Sequence, residues 1–487
     1  MNLLQAMSDA NLFARWFRDE GTWAAWRAFL SALFGLPLSE AEAEVYRACT
    51  GRQTAPEAPY SEAWLICGRR AGKSFVLALI AVFLSCFRDY RPYLQPGERA
   101  TILIIATDRK QARAILNYLR ALLTEVPMLA RLVERETADE FDLTNRVTIE
   151  VGTSSFRSVR GRTLVAGVLD EMAFWPTEDA ADPDFAILDA LRPAMATIPN
   201  GMLLCASSPY ARRGALWDAF NRYFGKDDPN VLVWRAPTRV MNPSVPQRLI
   251  DEAYERDPAA AAAEYGAEFR TDVERFVSLD VVDACIAVDV FERPPSKGHV
   301  AFVDPSGGSG DSMTLAIAHP EGDAVVLDAV RECRPPFSPD QVVEDFAALL
   351  KSYKISHVIG DRYAGEWPRE RFKVHGIQYV VSEKTKSDLY RDLLPMLNSG
   401  RASLLDHQRL RTQIVNLERR TARGGRDSID HPRGAHDDVA NAVAGALVTL
   451  SQRAQPIIVT KEQAMAFGAP HQRRFPIRSW RERRSFY

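Results

Sequence analysis

The chain reads as short apolar runs set between amphipathic ones. Residues 1 to about 60 place Trp16, Phe17, Trp23, Trp26, Phe29 and Phe34 among charged positions, the pattern of amphipathic helices capping a neighbouring domain. Ala63–Cys67 is apolar and short enough for a buried strand, and Ser74–Phe87 is an apolar helix. Thr101–Ala106 repeats the strand pattern and Asp108–Leu123 the helical one. Leu164–Leu169 and Gly201–Ala206 are further strands, the first ending in Asp170-Glu171 and the second in Ser207-Ser208-Pro209. Strands alternating with helices predict an α/β fold with a mostly parallel sheet covered on both faces.

The rhythm breaks between about 270 and 297, where Pro294-Pro295-Ser296-Lys297-Gly298 reads as a linker. It resumes with strands at Val300–Val303, Met313–Ala318 and Ala324–Val330, a helix at Pro339–Tyr353 and a strand at His357–Gly360. Asp388–Leu397 and the Ala/Val-rich Asp438–Leu450 are helices. Three early strands, a helix, another strand and a late acidic helix predict a ribonuclease-H-like α/β domain. The expected organisation is a helical cap at 1–60, a first α/β domain at 61–270, a linker at 271–297, a second α/β domain at 298–455 and a tail at 456–487. The tail is basic: Arg473, Arg474, Arg478, Arg481, Arg483 and Arg484 stand against Glu482.

Composition narrows the class without deciding it. The 487 residues are 46% hydrophobic and 25% charged, ordinary for a globular protein with two or three domains. A net charge of -2 excludes a polycation, so any nucleic-acid contact must come from local basic patches. The six cysteines are scattered with no C-x-x-C, as expected of core residues in a reducing compartment. Acids and arginines interrupt the first 25 residues, unlike a signal peptide, and no stretch approaches bilayer length, so the expectation is a cytosolic protein without a membrane partner.

Candidate chemistry changes the picture. Cys67-Gly68-Arg69-Arg70-Ala71-Gly72-Lys73-Ser74 joins a strand to a helix, the arrangement in which backbone N–H groups and a helix N-terminus cradle phosphates. Gly68, Arg69, Arg70, Ala71 and Gly72 would wrap the phosphates, Lys73 would neutralise the β and γ oxygens, and Ser74 would ligate Mg²⁺. The first glycine of the usual pattern is replaced by Cys67, with glycine one position later. Asp170 and Glu171 supply the second element: Asp170 would hold Mg²⁺ through water and Glu171 would polarise the water that attacks ATP. Surface acids capping the next helix are the plainer alternative. Arg69 and Arg70 could act on the phosphates within the chain, and Arg157, Arg160 and Arg162 could reach a neighbouring subunit. Ser207 and Ser208 are placed to sense the γ-phosphate, or simply turn the chain before Pro209.

The second half carries spaced carboxylates. Asp304 and Asp361 each follow an apolar strand, Asp437-Asp438 opens a helix, and Asp311 follows a glycine-rich stretch. Two-metal phosphodiester hydrolysis needs such acids around Mg²⁺ or Mn²⁺ ions, which prefer hard oxygen ligands. Spacing does not choose between Asp437 and Asp438, since Asp437 could be the helix cap. Arg419-Arg420-Thr421-Ala422-Arg423-Gly424-Gly425-Arg426 reads either as a hairpin facing phosphates or as a solvated loop.

Taken in order, Cys67–Ser74, Val165–Glu171, Ser207–Pro209, Asp304, Asp361 and His436-Asp437-Asp438 resemble the large terminase subunit of tailed bacteriophages and related prophages. The resemblance spans nearly the whole chain and implies a P-loop ATPase domain followed by a ribonuclease-H-like nuclease domain. It implies a motor that hydrolyses ATP to move double-stranded DNA into a procapsid, and an endonuclease that cuts concatemers. It makes Arg69 the in-chain arginine and Arg160 the cross-subunit one, with Glu171, Asp304, Asp361 and Asp438 catalytic. It further implies ATP and Mg²⁺ or Mn²⁺ as cofactors, and a small terminase subunit, a portal protein and a ring of copies as partners. The location would be host cytoplasm with transient docking on the portal, not the mature virion. The rival expectation is an ATP-dependent DNA translocase or remodeller whose second domain binds DNA without cutting.

Overall fold

The strands of the first half hydrogen-bond into one sheet whose order places its loops. The computed structural model describes residues 1–153, 161–175, 183–361, 366–421, 427–432 and 435–453. The strands are β1 (Glu62–Cys67), β2 (Ala100–Ala106), β3 (Val133–Glu136), β4 (Glu140–Leu143), β5 (Val147–Thr153), β6 (Thr163–Asp170), β7 (Met202–Ser207) and β8 (Val231–Ala236). Their order is β3-β4-β5-β2-β6-β7-β1-β8, parallel from β5 through β8. β3, β4 and β5 extend it antiparallel. Burial on both faces explains the continuous apolar runs, for β2 is buried at every position. The spacing of Asp170-Glu171 from the loop suits a strand next to β1, but β6 does not adjoin β1. β7, later in sequence, lies between them and brings Ser207 and Ser208 with it.

The N-terminal 50 residues are helical and pack on the first sheet. Helices Leu3–Ser8, Glu20–Leu33 and Glu40–Thr50 start at Asn2, Asp19 and Ser39, whose side chains accept first-turn N–H bonds. Their aromatic face joins the core of the first sheet, where Phe29 meets Trp234 edge-on with ring centroids 5.4 Å apart.

The second sheet is built on a hairpin meander. β11 (Val300–Asp304), β12 (Met313–Glu321) and β13 (Ala324–Cys333) pair antiparallel, while β14 (His357–Gly360) and β15 (Gln378–Val381) add parallel beyond β11. The core order is β13-β12-β11-β14-β15, and the sequence of elements, three antiparallel strands, a helix, a parallel strand and a late acidic helix, is the expected ribonuclease-H-like one. β16 (Ala402–Leu405) and β10 (Ile286–Ala287) extend the other edge. The expected linker is partly structured: β9 (Val273–Arg275), the helix Leu279–Cys285 and β10 lie within it, and Phe276, Val277, Val282 and Cys285 are buried in the second core. Apolar residues at these positions give that stretch something to bury, which a free linker lacks.

β9 pairs with β17 (Glu418–Thr421), which pairs with β18 (Asp427–Asp430) in the expected hairpin. At its base Glu418 is fully buried and accepts bonds from Tyr210 Oη at 2.8 Å, Arg213 at 2.6 Å and Arg420 at 2.9 Å. The first sheet's β7 loop and the second domain's hairpin therefore share one carboxylate. Among the described residues no helix is long and apolar enough to cross a membrane.

The helix Asp438–Arg453 lies against β11 and β12 because Gly445 leaves room for it. A Cβ at Gly445 would meet the buried Phe302 ring at 2.2 Å. Gly445→Ala is therefore expected to lose about 1–3 kcal/mol by overpacking, against the usual gain of alanine in a helix. A chemical-denaturation curve no less stable than wild type would refute that packing account.

Candidate active sites

The phosphate loop is pinned from outside. β1 ends at Cys67, and the helix Lys73–Phe87 starts after Gly72, whose φ of 97° is left-handed. Every carbonyl from Cys67 to Ala71 has a partner. Lys73 Nζ donates to Cys67 O at 3.1 Å and Gly68 O at 3.4 Å. Thr238 Oγ1 donates to Arg69 O and Asn242 Nδ2 to Arg70 O, both at 2.8 Å. Trp26 Nε1 donates to Ala71 O at 2.9 Å. The loop is thus shaped before a nucleotide arrives, and the first N–H groups of the helix have no intrahelical partner. The displaced glycine also finds its reason. Cys67 is still in the strand, paired with Ala236, whereas a Cβ at position 68 would meet Thr238 Oγ1 at 2.2 Å.

Lys73 is buried and also bonds Ser208 Oγ at 3.1 Å and Glu171 Oε1 at 3.1 Å. Glu171 Oε2 accepts from Ser207 Oγ at 3.2 Å and from the Ser208 N–H at 3.1 Å. The intervening β7 therefore ties the acid to the loop. Ser74 Oγ donates to Asp170 Oδ2 at 2.8 Å, and Gln111 Nε2 reaches the same oxygen at 3.0 Å. Asp170 Oδ1 is buried with no partner among the described residues. Burial, then the Glu171 charge, pushes the Asp170 carboxyl up to about 6. A hydroxyl, a carboxylate with an unused oxygen and a lysine beside the first N–H groups of the helix Lys73–Phe87 fit a Mg²⁺–nucleotide. Glu171 itself sits at a φ of 51°, an uncommon region for a non-glycine residue.

Of the arginines, Arg69 is exposed and pairs with Glu264 at 3.3 Å, Arg70 is exposed at a φ of 64°, and Arg162 pairs with Glu150. Arg157 and Arg160 lie outside the described residues, as do Arg423, Arg426 and the basic tail. Arg419 and Arg420 of the hairpin are paired with Asp427 and Glu418.

The second site lies where β11 and β14 end side by side. Val303 pairs with Gly360, so Asp304 and Asp361 emerge from adjacent parallel strands at one sheet edge. Asn441 Nδ2 bonds both, at 2.8 Å to Asp304 Oδ2 and 3.4 Å to Asp361 Oδ2. Asp438 Oδ2 accepts from the Ser312 N–H at 3.1 Å, and Thr314 Oγ1 donates to its carbonyl at 2.7 Å. Burial, then the charges of Asp438, Asp361 and Asp437, push the Asp304 carboxyl up to about 8 against the Asn441 bond. Burial also raises Asp438. Asp311 is exposed, and with His436 and Asp438 offers ligand atoms within 4.8 Å of one another. The structure separates the two adjacent acids that spacing left open. Asp437 is engaged by Lys386 at 3.1 Å and Tyr390 Oη at 2.8 Å, whereas Asp438 makes no lysine or arginine ion pair among the described residues. A converging group of carboxylate oxygens fits hard divalent cations.

Trp26, Gln111, Thr238, Asn242, Lys386 and Asn441 were not anticipated. Only Asn441 carried a local signal, as a lone amide one turn after Asp438 in an otherwise Ala/Val-rich helix.

Residues 29–267 match a family profile described as the N-terminal P-loop domain of uncharacterized protein MJ0330. No curated protein matches the chain. Among solved structures, the large terminase of bacteriophage HK97 is 17% identical, with 87% of this chain and 99% of that chain covered and a TM-score of 0.39. A large terminase from a thermophilic bacteriophage, in complex with ADP, is 14% identical, with 85% and 99% covered and a TM-score of 0.38. The large terminase nuclease of the thermophilic phage G20c with bound magnesium is 16% identical, with 35% and 96% covered and a TM-score of 0.31.

Two outcomes follow from the geometry. Trp26→Phe keeps the packing but leaves the Ala71 carbonyl unheld, and is expected to weaken nucleotide binding by about 1 kcal/mol, roughly fivefold. Fluorescent-nucleotide titration reads this, and unchanged affinity would refute it. A cation taken up at the second site would compete with a proton for Asp304. Because its carboxyl stays protonated up to about 8, Mn²⁺ affinity should rise with pH, about tenfold per unit between pH 6 and 8 for one proton released. Calorimetry in buffers of different ionisation enthalpy counts that proton, and Asp304→Asn should abolish its release.

Proposed function

We propose that this chain is a viral DNA-packaging motor-nuclease: it hydrolyses ATP to drive double-stranded DNA into a procapsid and cuts concatemeric DNA with a two-cation site. One observation carries the reading. A pinned phosphate loop with its acids and a converging carboxylate cluster sit on separate sheets of one chain. The order of motifs that resembles large terminases supports it further.

In ATP turnover the loop N–H groups and Lys73 hold the phosphates, while Ser74 and Asp170 hold Mg²⁺. Lys73 must exchange Glu171 for phosphate oxygens, which frees Glu171 to take the proton of the attacking water. Ser207 and Ser208 lie against both groups and so register whether the γ-phosphate is present. Arg69, and Arg160 from a neighbouring copy, would neutralise the charge of the transition state. In cutting, Asp304, Asp361 and Asp438, with Asp311 at the rim, would hold the divalent cations, and Asp437 shapes the site through Lys386. Bound cations there supply an activated water and stabilise the leaving oxygen. The partners are double-stranded DNA, a small terminase subunit and a portal protein, with copies of the chain forming a ring on the portal in host cytoplasm.

Glu171→Ala is expected to lower ATP turnover by about 10²–10⁴-fold while the protein still nicks plasmid with Mn²⁺. Asp361→Ala should do the reverse, with ATP turnover retained and nicking lost. Plasmid cutting that survives both substitutions would sink the nuclease assignment and favour a translocase whose second domain only binds DNA.

A further inference from the structure

Asn441 stands three residues after Asp438 on the helix Asp438–Arg453, so the two side chains share a face. It is 1% exposed. Its Nδ2 offers two N–H groups, and two carboxylates from adjacent strands take them, Asp304 Oδ2 at 2.8 Å and Asp361 Oδ2 at 3.4 Å. Its Oδ1 is buried and has no partner among the described residues. The amide thus turns its donor end to the two acids and its acceptor end away from them.

An ordinary core asparagine satisfies both ends of its amide. Leaving a buried acceptor unpaired costs about 1–3 kcal/mol, and this one is kept at the junction of two like-charged groups. The donor end does what a cation would otherwise do there. It draws one oxygen of each carboxylate together and opposes the rise of the Asp304 carboxyl.

We propose that Asn441 is a positioning residue of the second site: its amide bridges Asp304 and Asp361 and holds the two carboxylates, spaced and oriented, for a divalent cation. This rests on the two-cation reading above. The role is orientation of ligands by an outer partner, for which loss of the partner weakens metal affinity by about 10–100-fold.

The test is Mn²⁺ titration of the full chain by calorimetry, without DNA, for wild type and three variants. Asn441→Leu keeps the volume and removes both donors, Asn441→Ala removes donors and volume, and Asn441→Ser restores one donor. The expected order of affinity is wild type, then Asn441→Ser, then Asn441→Leu and Asn441→Ala, the last two weaker than wild type by about 10–100-fold. ATP turnover should be unchanged in all, which certifies the fold of the rest of the chain. Recovery by Asn441→Ser separates a hydrogen-bonding role from one of mere packing. Wild-type affinity in Asn441→Leu overturns the inference. If Asn441→Leu does not fold, equal affinity of Asn441→Ala and Asn441→Ser overturns it instead. A wild-type protein that binds no Mn²⁺ and cuts no plasmid would overturn the two-cation reading itself, a distinct result from wild-type binding that Asn441 does not influence.

Discussion

Parallel pairing is the constraint on which both sites depend. Strands that run the same way deliver their C-terminal ends to one sheet edge, and whatever follows each strand meets there. In the first sheet β1, β7 and β6 run parallel, so the phosphate loop, Ser207-Ser208 and Asp170-Glu171 come together although nearly 100 residues separate loop from acids. In the second, β11 and β14 run parallel and bring Asp304 beside Asp361. Antiparallel β12 cannot contribute an acid from its far end to that edge. It contributes from its start, where Ser312 holds Asp438.

Hydrogen bonds, one strand pairing and short stretches of chain run from one site to the other. Ser208, in contact with Lys73 and Glu171, is followed by Tyr210 and Arg213, which hold the buried Glu418. Glu418 opens β17, whose partner β18 ends at Asp430. Asp430 pairs with Lys386 at 2.7 Å, and Lys386 pairs with Asp437, the residue before Asp438. Glu418 is fully buried, so removing its Tyr210 or Arg213 partner would leave a buried carboxylate less well paired.

Much of this was legible because the apolar runs are long and their periods distinct. β1, β2, β6, β7, β11 and β14 follow the expected strands within a residue or two, and Asp170, Asp304 and Asp361 stand at strand ends as their position in the sequence implies. The order of strands was not legible: nothing local in Met202–Ser207 says that it inserts between β1 and β6. The linker was misjudged because Pro294-Pro295 dominated the reading, while the apolar positions of Leu279–Cys285 only gain meaning against the second core. Trp26 and Asn242 lie 45 and 172 residues from their loop partners, so no local pattern could have named them. Their roles belong to tertiary packing, which sequence periodicity does not encode.

The adjacent acids of the two sites show one electrostatic logic. Asp170-Glu171 and Asp437-Asp438 each place two carboxyls next to each other in sequence at a sheet edge. In each pair a lysine takes one member: Lys73 contacts Glu171 and Lys386 contacts Asp437, both at 3.1 Å. The other members, Asp170 and Asp438, have no such contact among the described residues, and burial raises both carboxyls. Backbone direction accounts for the division, since consecutive residues turn their side chains apart and one ammonium cannot serve both. An acid kept buried without its own cation costs free energy unless it is protonated or neutralised from outside. The lysine thus fixes one acid in place and leaves its neighbour as the group on which an added cation can act.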